Sequence, residues 1–367
     1  MRNPYMTKWA NVLVHYSLEV KPGQCVAIEA MPVAEPLIRA LHAEIVKAGG
    51  YPELIVTFPG LREQYLKLAS DDQLDAASPM RRMVLEEFDA RIAILSDENS
   101  RELSHVDPVR QARLQKAWRP AFERFLQRSG AGQVNWVVTL FPTHGAAQDA
   151  DMSLDDLMDL VTRSSFLDSP DPVQAWRERS ARQQRLVDYL SDKRELHVLA
   201  EDTDFRVSVQ GRAFVNCDGK KNFPDGEVFT SPIEDSATGT VYFTIPAVHG
   251  GRRVQGIRLR FEHGKVVEAS AESNEAYLHQ MLNVDAGARF LGEFAFGTND
   301  SITHATGQTL FDEKMGGTIH MALGASYPET GGTNTSALHW DLVCDLRHGG
   351  TVDVDGVPFM QKGQFQV

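Results

Sequence analysis

Apolar and polar positions alternate along Ser336-Ala337-Leu338-His339-Trp340-Asp341-Leu342-Val343-Cys344. The period of two predicts a strand with His339 and Asp341 on one face and Leu338, Trp340, Leu342 and Cys344 on the other. The run Thr318-Ile319-His320-Met321-Ala322-Leu323 has the same period, with His320 among small residues and Ile319, Met321 and Leu323 on the apolar face. Each histidine therefore has an apolar strand behind it. Up to about Ser191 the pattern differs: short apolar runs at 24–29, 53–57, 91–95 and 134–140 alternate with helical periods near 35–48, 108–128 and 153–162. Strands alternating with helices predict a wound α/β domain. Gly49-Gly50 ends the first helix in the manner of a left-handed cap. A charged helix over 171–192 leads into a second half in which 195–200, 205–210, 241–246, 253–262 and 265–269 read as strands. There, 262–265 reads as a hairpin turn and 274–281 as a helix. The expected fold class is α/β, with an N-terminal wound α/β domain over residues 1–191 and a β-rich α+β domain over residues 192–367.

Length supports that division, since 367 residues exceed the ~100–150 of one ordinary core. Charge narrows the partners: 37 basic against 50 acidic side chains give −13, which argues against a surface that tracks nucleic-acid phosphates. The cysteines Cys25, Cys217 and Cys344 are odd in number, widely separated and in no metal or redox spacing. They read as small buried hydrophobes in a reducing compartment. Residues 1–9 lack an apolar signal core, and no stretch approaches the ~18 apolar residues of a membrane span. The expectation is a cytoplasmic protein with neither membrane nor nucleic-acid partner. No Gly-x-Gly-x-x-Gly follows the first strand and no Walker loop occurs, so no nucleotide cofactor is expected.

Candidate chemistry gathers in the second half. Glu293, in Leu291-Gly292-Glu293-Phe294-Ala295-Phe296, is flanked by apolar residues, and a buried carboxylate needs a partner. Glu313 precedes His320, and Pro224-Asp225-Gly226-Glu227-Val228-Phe229-Thr230 offers Glu227 just after a turn. Taken singly, a core histidine or a solvated turn glutamate explains each of these. Together, acids at this density repel one another unless cations neutralise them, and imidazole with carboxylate on rigid strands is a donor set for divalent metals. His144, His249, His304 and His348 read as exposed. Gly316-Gly317 and Gly331-Gly332 read as turns or as places where backbone could approach a ligand.

These motifs in this order resemble the thermophilic metalloaminopeptidase family M29: Leu310-Phe311-Asp312-Glu313 leading to His320, then Gly324-Ala325-Ser326-Tyr327 and His339-Trp340-Asp341, with the Glu227 and Glu293 segments before them. The resemblance extends through most of the C-terminal half and more weakly through the N-terminal half. It implies a dimeric exopeptidase that uses two divalent ions (Zn, Co, Mn or Mg) to remove N-terminal residues from peptides. Carried over by motif, the metal ligands are Glu227, Glu293, His320, His339 and Asp341, and the active-site tyrosine is Tyr327; in the mechanism expected from them Glu293 bridges. Tyr327 becomes the oxyanion donor, and Glu313 a proton shuttle or additional ligand. The chain departs from the family pattern where Asp225-Gly226 precedes Glu227 and where residues 314–319 separate Glu313 from His320. Two other readings stand beside this one. His320, His339 and Asp341 could form the facial triad of a mononuclear non-haem Fe(II) dioxygenase, or the chain could bind peptide or metal without catalysis.

Overall fold

A computed structural model describes residues 4–367. The chain forms two compact units, one running to Ala175 and including Gly219–Phe223, the other comprising Trp176–Asp218 and Pro224–Val367. The first unit is built on a parallel sheet in the order Tyr51–Val56, Cys25–Ala30, Ala90–Leu95, Asn135–Leu140 and Asn222–Phe223. The first four are the strands the apolar runs predict, shifted by one or two residues. The helix Glu35–Lys47 buries Leu37, Ile38, Leu41 and Ile45, the three- and four-residue spacing of a helix face, and Gly49 follows it at φ +82°. Ser153 caps the helix Leu154–Ser164 by accepting a hydrogen bond from the Asp156 N–H. The helices Pro4–Val12, Leu61–Leu68 and Pro79–Glu87 are additions to the expected elements. The charged helix runs over Pro172–Leu190, so the expected boundary at Ser191 lies just past its end.

The second unit is antiparallel. An eight-stranded sheet runs Lys265–Ser270, Ile257–Glu262, Thr238–Phe243, Thr203–Ser208, Glu195–Ala200, Thr351–Val354, Val357–Gln361, Gln364–Phe365. A five-stranded sheet runs His339–Asp345, Thr318–Gly324, Leu291–Gly297, Glu227–Thr230, Val215–Cys217. Val198, Phe205, Val241 and Leu259 of the large sheet share one core with Phe294, Phe296, Ile319, Met321 and Leu342 of the small one. The expected hairpin at 262–265 forms, with His263 and Gly264 both at positive φ.

One expectation needs correcting. The stretch 253–262 is not one strand: Arg252–Val254 pairs with Ala247–His249, Gly256 turns at φ +66°, and only Ile257–Glu262 joins the large sheet. The last three strands of the large sheet, from Thr351 onward, are absent from the sequence reading.

Phe296 is fully buried and its ring meets Phe294, Phe359 and Phe365. Phe296→Ala is expected to destabilise the second unit by about 3–5 kcal/mol through lost burial and a residual cavity, read as a fall in the urea unfolding midpoint. An unchanged midpoint would mean that the aromatic cluster contributes nothing.

Candidate metal centre

The strand period sends the apolar residues of the five-stranded sheet into the shared core and leaves a second face for chemistry. On that face Glu293 pairs across to Ala322 and Ala322 to Asp341, while Ala295 pairs with His320 and Gly324 with His339. Glu227 stands opposite Gly297 on the neighbouring strand. A bulge between Leu291 and Glu293 sets the glutamate in that register. The small residues Ala295 and Ala322 leave room between the acids and the imidazoles.

The polar atoms converge. His320 Nε2 lies 3.4 Å from Glu227 Oε2 and 3.5 Å from Glu293 Oε1. His339 Nε2 lies 3.4 Å from Glu293 Oε2 and 3.4 Å from Asp341 Oδ1. Glu293 thus turns one oxygen towards each histidine. Both imidazoles are held from behind by backbone: His320 Nδ1 donates to the Glu313 carbonyl at 3.0 Å, and His339 Nδ1 to the Ala325 carbonyl at 2.9 Å. Those bonds aim Nε2 into the cluster, the arrangement that orients metal-ligating histidines. Glu227 Oε2, His320 Nε2 and Asp341 Oδ1 are buried without a hydrogen-bond partner among the described residues. Donor atoms of Glu227, Glu293 and His320 lie within 4.8 Å of one another, as do those of Glu293, His339 and Asp341, and those of Glu313, His320 and Asp341. Orphaned buried acceptors in nitrogen–oxygen sets of this compactness fit divalent cations.

Charge in the cluster is offset in part by its own members. Burial opposes protonation of His320, but Glu293, Glu227 and Glu313 outweigh it and push its pKa up to about 9. Burial also opposes charge on His339, yet Asp341 and Glu293 raise it to about 11. Desolvation works against ionised Asp341, and His339, His320 and Lys314 hold it down at about 2. Glu313 is pushed up to about 8, mainly by desolvation, with Asp341 and Glu227 acting in the same direction. Tyr327 is driven well above its ordinary value by burial and by the surrounding carboxylates, so it stays a phenol. Its hydroxyl lies 3.5 Å from His339 Nε2, its ring packs on Phe229, and its N–H donates to the Ser231 hydroxyl at 3.1 Å.

All seven residues singled out in the sequence, Glu227, Glu293, Glu313, His320, Tyr327, His339 and Asp341, therefore meet in one region. Two readings need correction. His249 is half-buried rather than exposed, with Nδ1 2.8 Å from the Tyr277 hydroxyl and its ring against Trp340. Cys25 and Cys217 are only partly buried, unlike Cys344. Lys314, which no motif singles out, also joins the cluster. It is 1% exposed, its ammonium lies 2.6 Å from Glu227 Oε1, and it donates to Glu313 Oε1. The only sequence signal for it was the surplus of acids, which calls for a base somewhere.

The family model described as "Thermophilic metalloprotease (M29)" matches residues 3–365. Aminopeptidase 2 of Geobacillus stearothermophilus is 29% identical over 392 residues, covering 96% of this chain and 94% of that protein. Aminopeptidase T of Thermus thermophilus is 29% identical over 410 residues, covering 99% and 98%. The solved structure of wild-type AmpT from Thermus thermophilus superposes with a TM-score of 0.87 at 27% identity, covering 99% of each chain. None of these supports the dioxygenase reading, and the geometry adds Glu227 and Glu293 to the three residues that reading employs.

The raised histidine pKa values fix a sign. Above the ordinary value of 6.5 the folded, metal-free protein holds protons that the unfolded chain releases. The stabilisation is therefore complete below that value and is lost as pH rises through about 9 and about 11. Glu313, raised to about 8, acts in the same direction. After chelation the urea midpoint is expected to fall between about pH 7 and about pH 10, and His339→Gln should flatten the decline. A midpoint that rises over that window would contradict the charge arrangement.

Proposed function

The chain belongs to the thermophilic metalloprotease family M29, and from that premise we propose that it is a metal-dependent aminopeptidase that removes the N-terminal residue of peptides through two divalent cations. Support for the reaction comes from the relatives, which are aminopeptidases matched over nearly their whole length. Support for two cations rests on Glu293, whose oxygens face different histidines, one 3.5 Å from His320 and the other 3.4 Å from His339. In this reading Glu227, His320 and Glu293 would hold one cation, and Glu293, His339 and Asp341 the second. The second unit is then the catalytic one. Zn, Co, Mn and Mg are the candidate ions, the imidazoles favouring the transition metals.

When bound, such cations supply Lewis acidity, polarising a carbonyl and lowering the pKa of water. The remaining work belongs to side chains. Glu313, with a pKa near neutrality at about 8, takes a proton from water and delivers it to the leaving amine. Tyr327, kept as a phenol, donates a hydrogen bond to the oxyanion that develops on the scissile carbonyl. Its position is fixed by the Ser231 bond and by Thr330, whose hydroxyl donates to the Tyr327 carbonyl at 2.7 Å. A free α-amine is cationic at neutral pH, and the acidic face of the centre attracts it, which selects peptide ends over internal bonds. The reading includes a homodimer, carried by the family resemblance, and a cytoplasmic location, consistent with three free cysteines.

The test uses aminoacyl chromogenic amides. Chelated protein should release no chromophore, and adding back Zn, Co, Mn or Mg in turn should restore release with at least one of them. Hydrolysis that persists without metal would overturn the reading. Glu293→Gln is expected to abolish turnover and lower metal content while the fold remains, and full activity in that variant would exclude a bridging role. For Tyr327→Phe, kcat should drop by roughly 10²–10³ with metal content unchanged. Loss of metal from that variant would make the tyrosine a ligand instead.

A further inference from the structure

Lys314 is a buried charge with no part in the mechanism above. Its ammonium lies 2.6 Å from Glu227 Oε1 and 3.8 Å from Asp225 Oδ1, and it donates to Glu313 Oε1. The backbone fixes where the side chain starts: the Lys314 N–H donates to the Phe311 carbonyl, and its own carbonyl accepts from the Asn299 N–H at 2.9 Å. At 1% exposure an ammonium needs paired charge, and it has it.

Two consequences follow for the acids. Glu227 is held through Oε1 by Lys314, while Oε2, which has no hydrogen-bond partner among the described residues, faces His320 at 3.4 Å. One oxygen is occupied and one is offered. The second consequence concerns charge. Asp225, Glu227, Glu293, Glu313 and Asp341 are five carboxylates set about the one ammonium of Lys314, an excess of acid that bound dications would offset. Arg179 and Asp300 nearby are of opposite sign and leave that excess unchanged. Donor atoms of Cys217, Asp225 and Glu227 also lie within 4.8 Å of one another, a grouping that would suit a cation. The Lys314 ammonium already serves two of those three residues.

We propose that Lys314 is a positioning residue of the metal centre: by tying down one oxygen of Glu227 and one of Glu313, it restricts Glu227 to a single ligating oxygen and stands in for a third cation among the acids. The inference rests on the two-cation reading.

The experiment is calorimetric titration of chelator-stripped protein with Mn²⁺, together with the visible absorption of the Co²⁺-loaded form. It compares the unmodified protein with Lys314→Met. The unmodified protein should bind two equivalents. In Lys314→Met one equivalent should weaken by about 10–100-fold, the usual cost of losing a group that orients a ligand, with an altered Co²⁺ spectrum and the other equivalent unchanged. Lys314→Met leaves carboxylates uncompensated and could fail to fold. For that case, Glu313→Gln is compared with Glu313→Gln/Lys314→Met, in which one charge of each sign is gone and the net charge is that of the parent. The double variant should bind one equivalent at least about 10-fold more weakly than the single variant. Equal affinities and identical Co²⁺ spectra within either pair would overturn the role of Lys314. A single equivalent in the unmodified protein would instead overturn the two-cation reading, independently of Lys314.

Discussion

Burying like charges together is the constraint on which the second unit depends. Glu227 and Glu293 are almost entirely removed from water, and Glu313 and Asp341 lie beside them. Carboxylates at such spacing are tolerated only where positive charge is fixed among them. Two imidazoles and one ammonium provide part of it. The remainder is what makes the cluster a place for cations rather than a knot of internal salt bridges, because Glu227 Oε2, His320 Nε2 and Asp341 Oδ1 have no hydrogen-bond partner among the described residues.

The sandwich makes such a cluster sustainable. Each site residue alternates along its strand with a residue anchored in the shared core: His320 with Ile319 and Met321, Glu293 with Phe294, Asp341 with Trp340 and Leu342. The charged face therefore cannot relax by sliding a strand, since a shift of one residue would turn core side chains outward. The Tyr327 segment, which is not a strand, is secured by side-chain bonds instead. Asn334 Nδ2 donates to the Gly287 carbonyl, and Glu234 accepts from the Thr333 N–H.

Strand residues were the legible part of the sequence, because alternation is local. His320, His339 and Asp341 could be placed on a face, and their apolar backing identified, before any pairing was known. Glu227 was harder: Pro224-Asp225-Gly226 announces a turn, and turn glutamates are ordinarily solvated, yet pairing with Leu291–Gly297 buries this one. Lys314 could not be read at all, since a lysine reveals its burial only when the strands carrying Glu227 and the loop carrying Glu313 are brought together. His249 was missed for the same reason, its partner Tyr277 being 28 positions away. In the first unit the strand and helix alternation was visible, whereas the last strand of its sheet, Asn222–Phe223, is too short to carry a period.

That short strand has a consequence for the order in which the protein is made. It pairs with Asn135–Leu140, although the chain has left the first unit at Ala175 and traversed Trp176–Asp218 in between. During synthesis the parallel sheet therefore waits with an open edge until Phe223 leaves the ribosome. A fragment cut at the helix end would keep that edge permanently unpaired, and unpaired strand edges are sites of aggregation. The two units are not independent in their biogenesis: the first is finished only when the second is under way.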